Sequence, residues 1–418
     1  MEAVERREVF AGLAGLLEAR AADRARNGAL VEAADRWRQG GALRRAAGDR
    51  GGEGEDLRRA AEALWLCGRG EEAGRAGRRA AGLLSGAAAA GAYLDLAEAA
   101  GAAQDPVAVA AWARRAVAAD RRDGKDGTAA TRARWHLALA RVVAGGEGWK
   151  GVEEGCREAG DVAEVARAGL AVGEAALLHR DPARAGRVVG RTLAHCRTHG
   201  LGVELRLAEA QLTFLRLIEG HWREAARAAD EALRRPGLPL PARVRALQVS
   251  ATVRARCGEP GVWAPLDEAV AAADPVDLRL LGPVRVARAE AAWLGGDEER
   301  TAAEARHGLA MTGGRCDPWL SGALAVWVRR SGGRVPPVRA AGPFAAELAG
   351  DRAAAVAAWE RLGCPYEAAL AGLGGDAESV RRALAAFEAA GARAAAFRAR
   401  ARLRALGAEG PGNPPHTP

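Results

Sequence analysis

The feature that most constrains this chain is a punctuation mark that keeps returning. A glycine closes one apolar run, a short polar turn follows, and an alanine-rich run begins. It reads Cys67-Gly68-Arg69-Gly70-Glu71-Glu72-Ala73 and Glu219-Gly220-His221-Trp222-Arg223-Glu224-Ala225. It returns at Gly295-Gly296-Asp297-Glu298-Glu299, Ala349-Gly350-Asp351-Arg352-Ala353 and Gly374-Gly375-Asp376-Ala377-Glu378. Glycine takes the left-handed conformation that ends one helix, and Asp or a polar neighbour caps the next. Gly220, Gly258 and Gly296 follow one another at intervals of 38 residues, and Arg180-Asp181-Pro182 lies a similar interval ahead. A period of about 40 residues with two helices per unit marks a helical solenoid. The predicted fold is all-α, an α-solenoid of antiparallel helix pairs.

The runs between turns carry the matching stripe. In 203–218, Val203, Leu207, Ala210, Phe214, Leu217 and Ile218 fall on one face of a helix. Ala225, Ala228, Ala229 and Ala232 let partner helices approach closely, while Trp293, Trp319, Trp327 and Trp359 supply bulk at helix seams. Composition agrees: 49% of residues are hydrophobic but only 4% aromatic, and most of the apolar content is Ala and Leu. Those residues favour helix, whereas strands draw on β-branched and aromatic side chains.

Gly48–Asp56 and Asp120–Thr131 are rich in Gly and charge and are expected to be exposed loops. Pro236-Gly237-Leu238-Pro239-Leu240-Pro241 reads as a tight connector with Pro241 in the first turn of a helix. Ser331–Pro343 reads as a longer loop and a candidate hinge. The division expected is an N-terminal helical-pair region over 1–128, a solenoid over 129–409, and a disordered Pro/Gly-rich tail over 410–418.

The net charge of +8 invites a nucleic-acid reading, but only Lys125 and Lys150 are lysines and the arginines are dispersed among acids, as on a solvated helix surface. The strongest basic stretch is Arg393, Arg398, Arg400, Arg402 and Arg404 with Phe397. It is read as a capping helix with a wet outer face, and contact with DNA phosphate is the alternative. Cys67, Cys156, Cys196, Cys257, Cys316 and Cys364 are far apart and form no CxxC pair, which points to reduced thiols in the cytoplasm. No signal peptide and no apolar run of about 18–20 residues is present, so no membrane contact is expected.

His195 and His199 stand at i and i+4, as zinc ligands do, but no acid of a HExxH motif and no second cluster accompanies them. They are read as a helix terminus, with a metal-dependent enzyme as the less favoured alternative. Lys125 is followed by Asp126 and Lys150 by Gly151, so no Walker A loop exists. No GxSxG elbow occurs. Glu71-Glu72, Glu153-Glu154 and Glu298-Glu299 are read as first-turn acids that complement the helix dipole. No catalytic, cofactor-binding or metal residue is assigned, and no enzyme activity or cofactor is expected.

A resemblance then emerges from Arg288–Asp297 (RAEAAWLGGD), Asp317-Pro318-Trp319 with Trp327, Ala346–Asp351, Trp359–Leu370 (WERLGCPYEAAL), Ala385–Arg393 and Leu403–Gly407. In this order they resemble the C-terminal half of large ATP-binding LuxR-family transcriptional regulators of actinobacteria. The likeness runs from about 200 to 407. It implies a right-handed, tetratricopeptide-like solenoid that senses a protein partner or small-molecule effector on its concave face. Such regulators add an N-terminal ATPase and a C-terminal helix-turn-helix. Neither is recognisable here, so the expectation is a split or truncated regulator, a non-enzymatic sensor module without its reader head.

Overall fold

The computed structural model describes residues 2–121, 128–145, 148–157, 161–275, 277–313 and 317–408. Among them there are 22 α-helices and no strand. The first pairs are α1 (Glu2–Arg26) with α2 (Leu30–Ala47), α3 (Arg50–Leu66) with α4 (Gly70–Leu83), and α5 (Gly86–Ala102) with α6 (Pro106–Asp120). Next come α7 (Thr128–Val143) with α8 (Trp149–Arg157), α9 (Val162–Leu178) with α10 (Pro182–His199), and α11 (Gly202–Ile218) with α12 (Trp222–Arg234). Then follow α13 (Leu240–Cys257) with α14 (Trp263–Ala272), α15 (Leu278–Leu294) with α16 (Glu298–Thr312), and α17 (Pro318–Arg330) with α18 (Gly342–Ala349). The last are α19 (Arg352–Arg361) with α20 (Pro365–Gly372) and α21 (Ala377–Ala390) with α22 (Arg393–Ala405).

The turn inside each pair follows the predicted chemistry. It falls at Gly28, Gly68, Gln104, Gly145, Arg180, Gly220, Gly258, Gly296 and Gly332, each with positive φ, at intervals between 35 and 41 residues. The intervals then shorten to 31 and 28, at Gly363 and Gly391. Gln104 and Arg180 hold φ of 53° and 54° without being glycine, a strained choice for a side chain with a Cβ. Asp caps the second helix at Asp105, Asp181 and Asp297, and between pairs Asp351 caps α19, each accepting from a backbone N–H of the first turn.

The array coils until distant turns touch. The Gly70 N–H donates to the Asp274 carboxylate across 204 residues, and the Asp317 N–H donates to Gln104 Oε1 across 213. Arg339 reaches the Ala144 carbonyl across 195 residues, Arg393 the Cys257 carbonyl across 136, and Arg398 pairs with Glu298 across 100. The closing separation shrinks as the helices shorten: α18 and α20 have only 8 residues, against 17 in α3.

The main core lies under the second turn of this coil, from Ala176 to Leu403. Helices α13 and α15 run through it, with 13 of 18 and 14 of 17 residues buried. Their polar groups are paired internally: Arg256 makes a two-pronged contact with Glu290 at 2.7 and 3.2 Å, and its guanidinium lies 3.8 Å from the Tyr366 ring. Arg245 pairs with Glu174 and sits 4.3 Å over Phe214.

The loop expected at Gly48–Asp56 is instead the start of α3. Asp49 caps it by accepting from the Gly52 N–H at 2.8 Å, and its acids are buried partners for arginine. Glu53 pairs with Arg45 and Arg79, both at 2.9 Å, and Asp56 with Arg44 at 3.0 Å. A Cβ on Gly54 would lie 2.7 Å from Leu84, so close helix packing and not turning accounts for that glycine. Of the second expected loop, 122–127 lie outside the described residues and α7 begins at Thr128. The connector at Pro236–Pro241 is present, with Pro241 in the first turn of α13, and 331–341 is a loop between α17 and α18. The tail over 410–418 lies outside the described residues.

Candidate ligand-binding lumen

The first helices α3, α5, α9, α11, α13 and α15, together with α4, line the inside of the coil. Residues of α3, α4 and α5 face residues of α9, α11, α13 and α15 across an open cavity. A smaller side chamber lies between α5, α6, α7 and α9. Glu98, Ala171, Glu174 and Arg279 border both, so the two chambers adjoin at these residues, the waist of the lumen. The apolar wall of the larger chamber includes Trp65, Leu66, Leu96, Leu170, Leu207 and Leu280. The stripe predicted on α11 therefore divides. Phe214, Leu217 and Ile218 enter the core, while Val203 and Leu207 face the lumen.

Set into this apolar wall are six carboxylates and four guanidinium groups. Arg58 pairs with Asp95 at 3.0 Å, Arg167 with Glu62 at 3.4 Å, Arg279 with Asp277 at 3.6 Å, and Arg245 with Glu174. Burial works against the charge of Arg167, but Glu62, Asp95, Glu98 and Glu164 outweigh it and hold the guanidinium above its usual range. Burial raises the carboxyls of Glu62, Glu98 and Asp277, and the nearby arginines offset this only in part.

Glu98, Glu204 and His136 stand apart among the polar groups of the lumen. Glu98 feels Arg167 and Arg279 but, among the described residues, forms no hydrogen bond or ion pair. His136, in the side chamber, is 4% exposed and also lacks a hydrogen-bond partner among the described residues. Its ring stacks on Trp135 with centroids 3.7 Å apart. Burial, with Arg132 and Arg167 adding to it, lowers its pKa to about 3, so the imidazole is neutral at physiological pH.

The residues singled out from the sequence lie elsewhere. His195 Nε2 is 2.8 Å from the Val162 carbonyl, and His199 is exposed beside Gly200, which closes α10 in the left-handed conformation. Among the described residues no group of three or more His, Cys, Asp or Glu is placed to hold a metal. Cys196 and Cys364 are buried, which pushes their thiols up to about 11 and about 12, and Cys67 and Cys257 are half-buried. Cys316 and the Cys156 side chain lie outside the described residues.

On α22, Arg393 engages the Cys257 carbonyl, Arg398 Glu298, and Arg400 Glu388. Three of the five arginines weighed for phosphate contact are thus committed within the chain. Glu71, Glu72, Glu298 and Glu299 do lie in helix first turns. Glu153 and Glu154 do not: they sit further along α8, where Glu153 pairs with Arg184 at 3.1 Å. Glu62, Glu98, His136, Arg167 and Arg279 were not singled out. Their one local signal was charge interrupting the inner stripe of Ala-rich helices, which also fits a wet surface. No protein-family model matches this chain, and no curated protein is detectably similar to it in sequence.

Proposed function

We propose that this chain is a non-enzymatic sensor module that captures a small-molecule effector inside its coil. The observation that carries this reading is the lumen itself, whose walls come from helices far apart in sequence and whose polar groups are not all satisfied. Occupancy would bridge α3 and α5 to α11, α13 and α15 and so stiffen the contact between successive turns. A ligand that prefers one arrangement of those turns shifts their equilibrium by its difference in affinity and no more. The likeness to the repeat region of LuxR-family regulators supports a cytoplasmic, regulatory role and a right-handed, tetratricopeptide-like coil. A protein partner reading occupancy from outside belongs to the same scheme. Among the described residues no helix is long and apolar enough to cross a membrane.

The test is a thermal-shift screen of the full chain against a panel of metabolites, run beside Ala171→Trp, which places an indole where both chambers meet. Compounds that raise the melting temperature of the native chain and leave the variant unmoved support the reading. A panel whose stabilising members act equally on both proteins would sink it.

A further inference from the structure

We infer that the lumen selects an amphipathic organic cation, a hydrophobic body bearing an amine or quaternary ammonium, with Glu98 as its counter-charge and His136 as a neutral hydrogen-bonding partner. This rests on the reading of the lumen as the recognition site and names the class of its ligand.

Three observations carry it. The first is charge balance: of the six carboxylates on the larger chamber, Asp95, Glu62, Glu174 and Asp277 are paired with guanidinium groups, while Glu98, at the waist, and Glu204 are left over. An anionic ligand would meet arginines already paired and an excess of acid. A cation meets an unpaired carboxylate in surroundings of low dielectric, where the attraction is several times that in water.

The second is His136, almost wholly buried in the adjoining chamber with no partner of its own among the described residues. It lines that chamber, so a ligand there can supply the hydrogen bond it lacks. Because the imidazole stays neutral, it adds no repulsion toward a cation.

The third is the wall. Trp65, Leu96, Leu170, Leu207 and Leu280 offer apolar surface, and among the described residues no three acids converge as the oxygen ligands of a hard metal ion must. The geometry fits a cation with a carbon body.

Fluorescence anisotropy of the full chain with rhodamine 6G, a hydrophobic cation, and with fluorescein, an anion on the same tricyclic frame, tests this. Saturable binding of rhodamine 6G is expected, at least about tenfold tighter than fluorescein, or about 1.4 kcal/mol. Glu98→Gln should weaken rhodamine 6G by about tenfold. Ala171→Trp should abolish binding. Fluorescein bound as tightly as rhodamine 6G, or rhodamine 6G indifferent to Glu98→Gln, overturns the cation assignment, and the lumen reading survives if Ala171→Trp still blocks the dye. Binding of neither dye, or binding that ignores Ala171→Trp, overturns both.

Discussion

Trp293 shows what a single residue carries in a structure built largely from alanine. Its ring is 7% exposed, lies 5.7 Å from the Trp327 ring, and is covered by the Arg398 guanidinium at 4.3 Å. Small neighbours leave little to collapse into the space, so Trp293→Ala should cost about 3–5 kcal/mol. Chemical denaturation measures it, and an unchanged midpoint would contradict the packing. His136 predicts a pH dependence. Its folded pKa is about 3, lowered by burial first and then by Arg132 and Arg167, whereas an unfolded imidazole takes its proton near pH 6.5. The stability it contributes is complete above that value. It falls with acid toward the folded pKa, by about 1.4 kcal/mol per pH unit for one proton. His136→Phe keeps the stacked ring and should flatten the loss between pH 7 and pH 5 by about one proton's slope. An identical slope in both proteins would show that His136 is not the group responsible.

At the scale of the element, glycine separates what local propensity says from what packing demands. Gly190 on α10 is exposed and a Cβ there would meet open space, so Gly190→Ala should stabilise by up to about 1 kcal/mol. Gly322 on α17 has the same intrinsic preference and the opposite surroundings: a Cβ would lie 2.8 Å from Phe344 Cβ and 3.1 Å from Ala340 Cβ. Those atoms move only with their backbone, so Gly322→Ala should cost about 1–3 kcal/mol. Melting curves of the two variants decide it, and shifts of the same sign would refute the distinction. The same reasoning explains α3. Its opening glycines and acids look like a loop by composition, yet Glu53 and Asp56 meet arginines from α2 and α4 and Gly54 admits Leu84. Turn positions were legible because a left-handed residue followed by a capping Asp is a local requirement. The identity of α13 and α15 as central helices was not, because burial on every face leaves no stripe to find.

At the scale of the whole molecule, Asp317 joins the turns of the coil. It caps α17 by accepting from the Trp319 N–H at 2.9 Å and lies 2.8 Å from His179 Nε2, while its own N–H donates to Gln104. His179 in turn stacks on Trp319, centroids 5.6 Å apart, and meets Trp149 edge-on at 5.9 Å. Asp317→Ala should cost about 3 kcal/mol or more, because it removes a cap and leaves buried partners unpaired. Hydrogen exchange should then show lost protection around Gln104 and His179, far along the chain, as well as in α17. Loss confined to α17 would mean that the contact does not hold the turns together.

Residues and their neighbours in sequence determined the helices, the turn chemistry and the repeat of about 40 residues, since each depends on contacts within a few positions. The coil's closure, the central place of α13 and α15, and the lumen at Glu98 and His136 were decided only in three dimensions. They depend on groups 100 to 213 residues apart arriving at the same place. An Ala-rich helix carrying scattered acids and arginines has the same pattern whether that face meets water or the inside of a coil. Only the path of the whole array makes Glu98 a carboxylate in an apolar chamber and Arg393 a bridge to Cys257.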